Sequence, residues 1–242
     1  MTRLTPGKVN SLQRTIISWY RKHQRELQWR TTTDPYHILI AEVMLQQTQV
    51  SRVQEKLPTF LRSYPTLQHL ASSSTAMIIQ SWEGMGYNNR AIRLHEMAKR
   101  IIMDHNGVIP DNPEALMELP GIGPYSAHAV ACFAFRKRVP VVDTNIRRVV
   151  TRLFRMTDTA YTSRSEKKIW RAAKEILPRD AYTWNQALMD LGAVICTSRR
   201  PLCHLCPVEK LCRSAHLHHS RKLDTRKTGK HEPSHDGIPR RI

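Results

Sequence analysis

Strand signals are close to absent from these 242 residues, and so are the long apolar runs that would place a chain in a membrane. No uninterrupted apolar stretch approaches the ~20 residues that a bilayer-spanning helix requires. The first ten residues, MTRLTPGKVN, lack the apolar core of a secretion signal. The expectation is a protein of the cytosol or nucleus, cytoplasmic and nucleoid-associated in a bacterium or archaeon, with no membrane partner. No internal repeat is detectable, which argues against a solenoid. Acidic residues are also scarce: 20 Asp and Glu face 38 Lys and Arg, for a net charge of +18. The last thirty residues, Arg213 to Ile242, carry only +5 of this, so the body of the chain is basic as well. Such a charge calls for a polyanionic partner, nucleic acid first.

Apolar residues recur with helical period almost everywhere, as in VNSLQRTIISWYRKH, NNRAIRLHEMAKRIIMDH and YTWNQALMDLGAVIC. Breaks fall between these segments at TTTDP, SYPT, NGVIPDNP and FRKRVP. VPVV, ending at Val142, is the only β-like run, and it is short enough to be a buried connector. The pattern predicts an all-α protein of about ten helices. Residues 216–242 are rich in His, Lys, Arg and Pro with little to bury, which predicts a basic, disordered tail suited to phosphate attraction.

Four of the five cysteines, Cys196, Cys203, Cys206 and Cys212, form a C-x6-C-x2-C-x5-C array in CTSRRPLCHLCPVEKLC. In a reducing compartment, four thiols crowded into a polar, proline-broken segment point to metal ligation, not disulfides. Zinc fits four cysteines, and so does a [4Fe-4S] cluster, whose size suits the wider gaps. Cys132, in AVACFAF, reads as an ordinary buried cysteine.

The segment LPGIGPYSAHAV sets Gly121, Ile122 and Gly123 ahead of a proline that can occupy a first helical turn. Glycines there permit a close backbone approach, and outward-facing amides at a helix N-terminus suit a DNA phosphate. A plain helix-to-helix turn has the same local signature.

Two carboxylates have apolar neighbours. Glu42 lies in YHILIAEVMLQQTQV, where burial would raise its pKa and suit a general acid. Asp143 follows VPVV and precedes TNIRRVV, the position of a helix N-cap. Two carboxyl groups in different environments are also the usual equipment for cleaving a glycosidic bond, and a nucleobase on deoxyribose is such a leaving group.

Taken together, EVMLQQTQV, GMGYNNRA, LPGIGPYSA, VVDTNIRRV, NQALMDLGAVIC and the cysteine array resemble the helix-hairpin-helix DNA glycosylases that carry an iron-sulfur cluster, most closely the adenine DNA glycosylase (MutY) family. The resemblance covers residues 10 to 215. It implies two helical lobes with an active-site cleft between them: a six-helix barrel with the helix-hairpin-helix over 31–137, and a cluster lobe from 1–30 plus 138–215. It implies a [4Fe-4S] cluster on the four cysteines. Glu42 matches the family's catalytic glutamate, which protonates adenine at N7, and Asp143 the aspartate that stabilises the oxocarbenium ion. Tyr125 matches a residue beside the sugar and Asn145 one that supports the aspartate. Leu27, Trp29, Arg30 and Asp190 fall in the adenine pocket, and Gln47 and Tyr87 among residues that wedge into the duplex during base flipping. The implied activity is monofunctional removal, by a monomer, of adenine mispaired with guanine or 8-oxoguanine in double-stranded DNA.

Three departures stand out. Thr144 replaces the glycine of the family's DGN, Tyr125 stands where some members have serine, and the expectation is of a member without the family's C-terminal domain that recognises 8-oxoguanine. A strand-cleaving, endonuclease III-like enzyme would need a lysine where Tyr125 stands. Thymine and uracil mismatch glycosylases share the glutamate, tyrosine and aspartate and form the second expectation; a non-enzymatic DNA-binding protein is the third.

Overall fold

The computed structural model describes residues 4–217, so residues 218–242 of the expected tail lie outside the described residues. Among the described residues there is no strand; eleven α-helices and several short turns make up the regular structure. The VPVV run is extended connector with Val141 and Val142 buried. The chain divides into two compact units, Glu26–Val141 and a second built from residues up to Arg25 together with those from Val142 on.

The second unit begins with α1 (Pro6–His23), whose Leu12, Ile16 and Tyr20 recur every four residues and are all buried. That spacing forms one apolar stripe.

The Glu26–Val141 unit holds α2 (Pro35–Leu45), α3 (Val50–Ser63), α4 (Leu67–Ser72), α5 (Thr75–Ser81), α6 (Asn89–His105), α7 (Pro113–Met117) and α8 (Pro124–Phe133). Asp34 caps α2, its carboxylate accepting from the amides of Tyr36 at 2.8 Å and His37 at 3.3 Å. From Ile38 to Met44 every residue of α2 is buried, which makes it the central helix; α3, α6 and α8 pack around it. α6 stops where Asn106 and Gly107 turn left-handed, at φ 52° and 77°. α7 and α8 pack as a helical hairpin joined through Gly121-Ile122-Gly123.

In the other unit α9 (Thr144–Leu153), α10 (Ser163–Glu175) and α11 (Ala181–Asp190) join α1. α9 buries Ile146, Val149, Val150 and Leu153, a clean helical stripe that leaves its arginines on the other side. Tyr20 donates its hydroxyl to Gln186 Oε1 at 3.0 Å, tying α1 to α11. α11 runs into a wider turn at Leu191–Ile195 before the cysteine segment.

Candidate active site residues

Glu42 lies among the buried apolar residues of α2 and is 2% exposed. Tyr125, in the first turn of α8, donates its hydroxyl to Glu42 Oε2 at 2.7 Å. The 83-residue separation closes because α2 and α8 pack against each other. A buried carboxyl oriented by a phenol is equipped to hand over a proton along a fixed direction.

Asp143 is the N-cap of α9. One oxygen accepts from the amide of Ile146 at 2.6 Å and the other from Asn145 Nδ2 at 2.9 Å. Burial raises its pKa above the ordinary aspartate value, opposed by those hydrogen bonds and by the Arg148 charge. The cap and the candidate catalytic group are thus the same carboxylate. Asn145 Oδ1 in turn accepts from Arg148 Nη2 at 2.8 Å, and Arg148 donates to the carbonyls of Gly192 at 2.7 Å and Cys196 at 2.6 Å. Asp143 therefore connects through two side chains to the first cysteine of the array.

The four array cysteines sit on short turns, and each of Cys203, Cys206 and Cys212 is raised by burial and by the charge of its fellow thiols. Cys206 is pushed up to about 12. Arg152 donates to Cys196 Sγ at 3.4 Å and to the carbonyls of Thr197 at 2.6 Å and Ser198 at 2.8 Å, bracing the start of the segment. No three His, Cys, Asp or Glu side chains among the described residues are arranged as a single-ion site. Four mutually interacting thiols with a neighbouring guanidinium are nevertheless a donor set that fits an iron-sulfur cluster, whose thiolate-bound form is anionic.

Of the expected pocket residues, Leu27 is buried, while Trp29 and Arg30 are half-buried on the short turn Gln28–Arg30 against α2. Asp190 is in the other unit, 0% exposed, and engaged by Arg25 through its backbone amide at 3.0 Å and its Nε at 2.8 Å. That is a buried, hydrogen-bonded ion pair, and it holds the segment after α1 to the end of α11. Gln47 and Tyr87 are exposed, and both adopt left-handed backbone, at φ 57° and 48°.

In the hairpin loop Gly121 has φ 81°, and a Cβ there would meet Arg93 Cβ at 3.2 Å. The Gln46 side chain donates to Gly121 O and Ser126 Oγ, each at 3.1 Å. Ile122 is buried and its amide donates to Leu119 O at 3.2 Å, so that amide is turned inward. Gly121 and Gly123 are the exposed members of the loop.

Sequence reasoning missed Arg90, quoted within GMGYNNRA but given no role. It is 8% exposed, and its guanidinium spans the loops carrying Gln47 and Tyr87. An arginine next to two turn asparagines reads as solvent-facing, and only the fold places it inside.

The profile of the HhH-GPD superfamily of base excision DNA repair proteins matches residues 40–176, more than half of the chain. The chain belongs to that superfamily. Among its relatives, the adenine DNA glycosylase of Mycobacterium tuberculosis is 44% identical over 208 residues, covering 80% of this chain and 64% of the relative. The chain thus spans under two thirds of that relative's length. The thymine-DNA glycosylase of Aeropyrum pernix is 35% identical, covering 88% of this chain and 97% of its own. The solved structure of a thermostable thymine-DNA glycosylase superposes with a TM-score of 0.81 at 32% identity, covering 87% of this chain and 98% of that one.

Proposed function

We propose that this superfamily member is a monofunctional DNA glycosylase that flips out adenine mispaired with guanine or 8-oxoguanine in double-stranded DNA and hydrolyses its N-glycosidic bond. The observation that carries the reading is the Tyr125 hydroxyl on Glu42 Oε2. It puts a phenol beside the buried acid, at the position where a strand-cleaving enzyme would need a lysine, so the reading is proton transfer without a Schiff base.

In this reading Glu42 protonates the departing adenine at N7, and Tyr125 holds the carboxyl in the orientation that delivers the proton. Asp143, kept in place by Asn145 and the α9 amide, stabilises the positive charge that develops on the sugar. Gly121 and Gly123 hold a DNA phosphate, and Gln47 and Tyr87 fill the space the base leaves. Cys196, Cys203, Cys206 and Cys212 are the residues that would hold a [4Fe-4S] cluster, which when bound would brace the cysteine segment.

Removal of thymine or uracil mispaired with guanine is the second reading. It is favoured by one observation: the thymine-DNA glycosylase relative is matched along 97% of its length. The test is incubation of the purified chain with duplexes holding A:8-oxoguanine, A:G, T:G or U:G, with and without alkali. Base loss from the adenine duplexes, and strand breaks only after alkali, are expected. Base loss from T:G and U:G alone would select the second reading, and breaks without alkali would refute a monofunctional enzyme.

A further inference from the structure

The two exposed residues expected to wedge into a duplex share an unusual feature. Gln47 and Tyr87 are both non-glycine residues in left-handed backbone, at φ 57° and 48°. Such a residue is strained and persists only where its surroundings over-determine it. Tyr87 is also 67% exposed, and its ring lies against the Arg90 guanidinium, whose carbon is 5.8 Å from the ring centroid.

What holds both turns is one guanidinium. Arg90 Nη1 donates to the carbonyls of Val43 at 3.2 Å and Met44 at 3.0 Å and to that of Gln46, immediately before Gln47. Nη2 donates to Thr48 Oγ1 at 2.9 Å, immediately after Gln47, and to Met85 O at 2.7 Å and Gly86 O at 3.0 Å, immediately before Tyr87. The carbonyls of Val43 and Met44 end α2, the negative end of that helix dipole, so a cation is favoured there. Thr48 Oγ1 donates to Met85 O at 3.3 Å, joining the two turns directly. Behind them the fully buried Trp82 lies 5.3 Å from the Arg90 guanidinium carbon and donates its indole N–H to Gly86 O at 3.2 Å. The six acceptors share the four Nη protons, three acceptors to each nitrogen, and a lysine ammonium with three protons at a single point cannot reach both turns in this way.

We propose that Arg90 is a positioning residue that locks the 46–49 and 84–88 turns into a single rigid wedge, so that Gln47 and Tyr87 enter the duplex together. The proposal rests on the reading of the chain as a base-flipping glycosylase. A wedge set in advance lowers the ordering cost of extrusion and matters most where the target base is well stacked.

The test compares wild type with Arg90→Lys and with Thr48→Val, which removes one acceptor and the direct link. Single-turnover excision of adenine is measured in a fully stacked A:G duplex and in a duplex where mismatched neighbours make extrusion easy. Extrusion itself is read from 2-aminopurine fluorescence at the target position. Arg90→Lys is expected to slow excision at least tenfold in the stacked duplex and under threefold in the weakened one, with a matching loss of fluorescence rise. Thr48→Val should show the same pattern at about threefold and carries the comparison if the lysine variant does not fold. An equal loss on both duplexes marks Arg90 as merely structural and overturns the proposal, as does no loss on either. If wild type removes no base, the glycosylase reading fails; a fluorescence rise that depends on Arg90 would then still support the wedge.

Discussion

A Cβ placed on Gly192 would lie 2.6 Å from Asn145 Cβ and 3.1 Å from the Asn145 backbone. Real Cβ atoms do not approach so closely, so the start of α9 can rest against the Leu191–Ile195 turn only because residue 192 has no side chain. Gly192→Ala must move Asn145, and with it the hydrogen bond to Asp143. The expected outcome is a stability loss of about 1–3 kcal/mol from overpacking. Excision should slow at least tenfold, with affinity for undamaged duplex within threefold. Single-turnover rates within twofold of wild type would show that Asn145 need not sit where it does.

The acid is expected to be irreplaceable and its partner important. Glu42→Gln keeps the shape of the side chain but removes the proton, so excision should fall by roughly 10²–10⁴ while DNA binding persists. Tyr125→Phe removes one hydrogen bond to a buried carboxyl, of order 1.5–3 kcal/mol, which corresponds to a loss of about tenfold or more. Full activity in Glu42→Gln would refute its role.

Asp143 has a raised pKa, which sets the sign of two pH effects. Its folded form binds a proton more readily than its unfolded form, so it contributes a stability that is present at low pH and lost as pH rises through its elevated value. Asp143→Asn, which retains a good N-cap, should therefore melt above wild type near neutral pH and converge with it in acid. In the proposed mechanism Asp143 acts as the ionised carboxylate, so the acidic limb of kcat is expected above the ordinary aspartate range. Asn145→Ala, which removes a donor to the charged form, should move that limb to higher pH. A limb that stays in place would show that another group titrates.

The purified chain is expected to be yellow-brown, with broad absorbance near ~400 nm. Cys206→Ala should lose that band and unfold at lower temperature than wild type. A colourless protein holding one zinc per chain would replace the iron-sulfur assignment.

Helical period made the fold class legible, because a helix buries one face and so imprints its spacing on the chain; α1, α6, α9 and α10 are plain in the residues. The 34–64 run was not, since it reads as one continuous apolar pattern and is cut into α2 and α3 at Gln46–Gln49. That break is held by Arg90, more than forty residues on, and local composition carries no sign of it. The candidate site residues Glu42, Tyr125, Asp143 and Asn145 came from their motifs, and the N-cap role of Asp143, which the structure shows, from its position alone. The inward turn of the Ile122 amide and the burial of Asp190 under Arg25 could not, because both depend on partners that packing supplies.

By itself, then, the sequence determined helical class, basic charge, the thiol array and membership in a family of motifs, all of which depend on residue type and short-range spacing. Tertiary structure alone decided which groups meet: the phenol on the acid, the asparagine against Gly192, and one guanidinium joining two strained turns. Hydrogen bonds and close contacts act over about 3 Å, and only the packing of helices brings residues 42 to 83 positions apart within that distance.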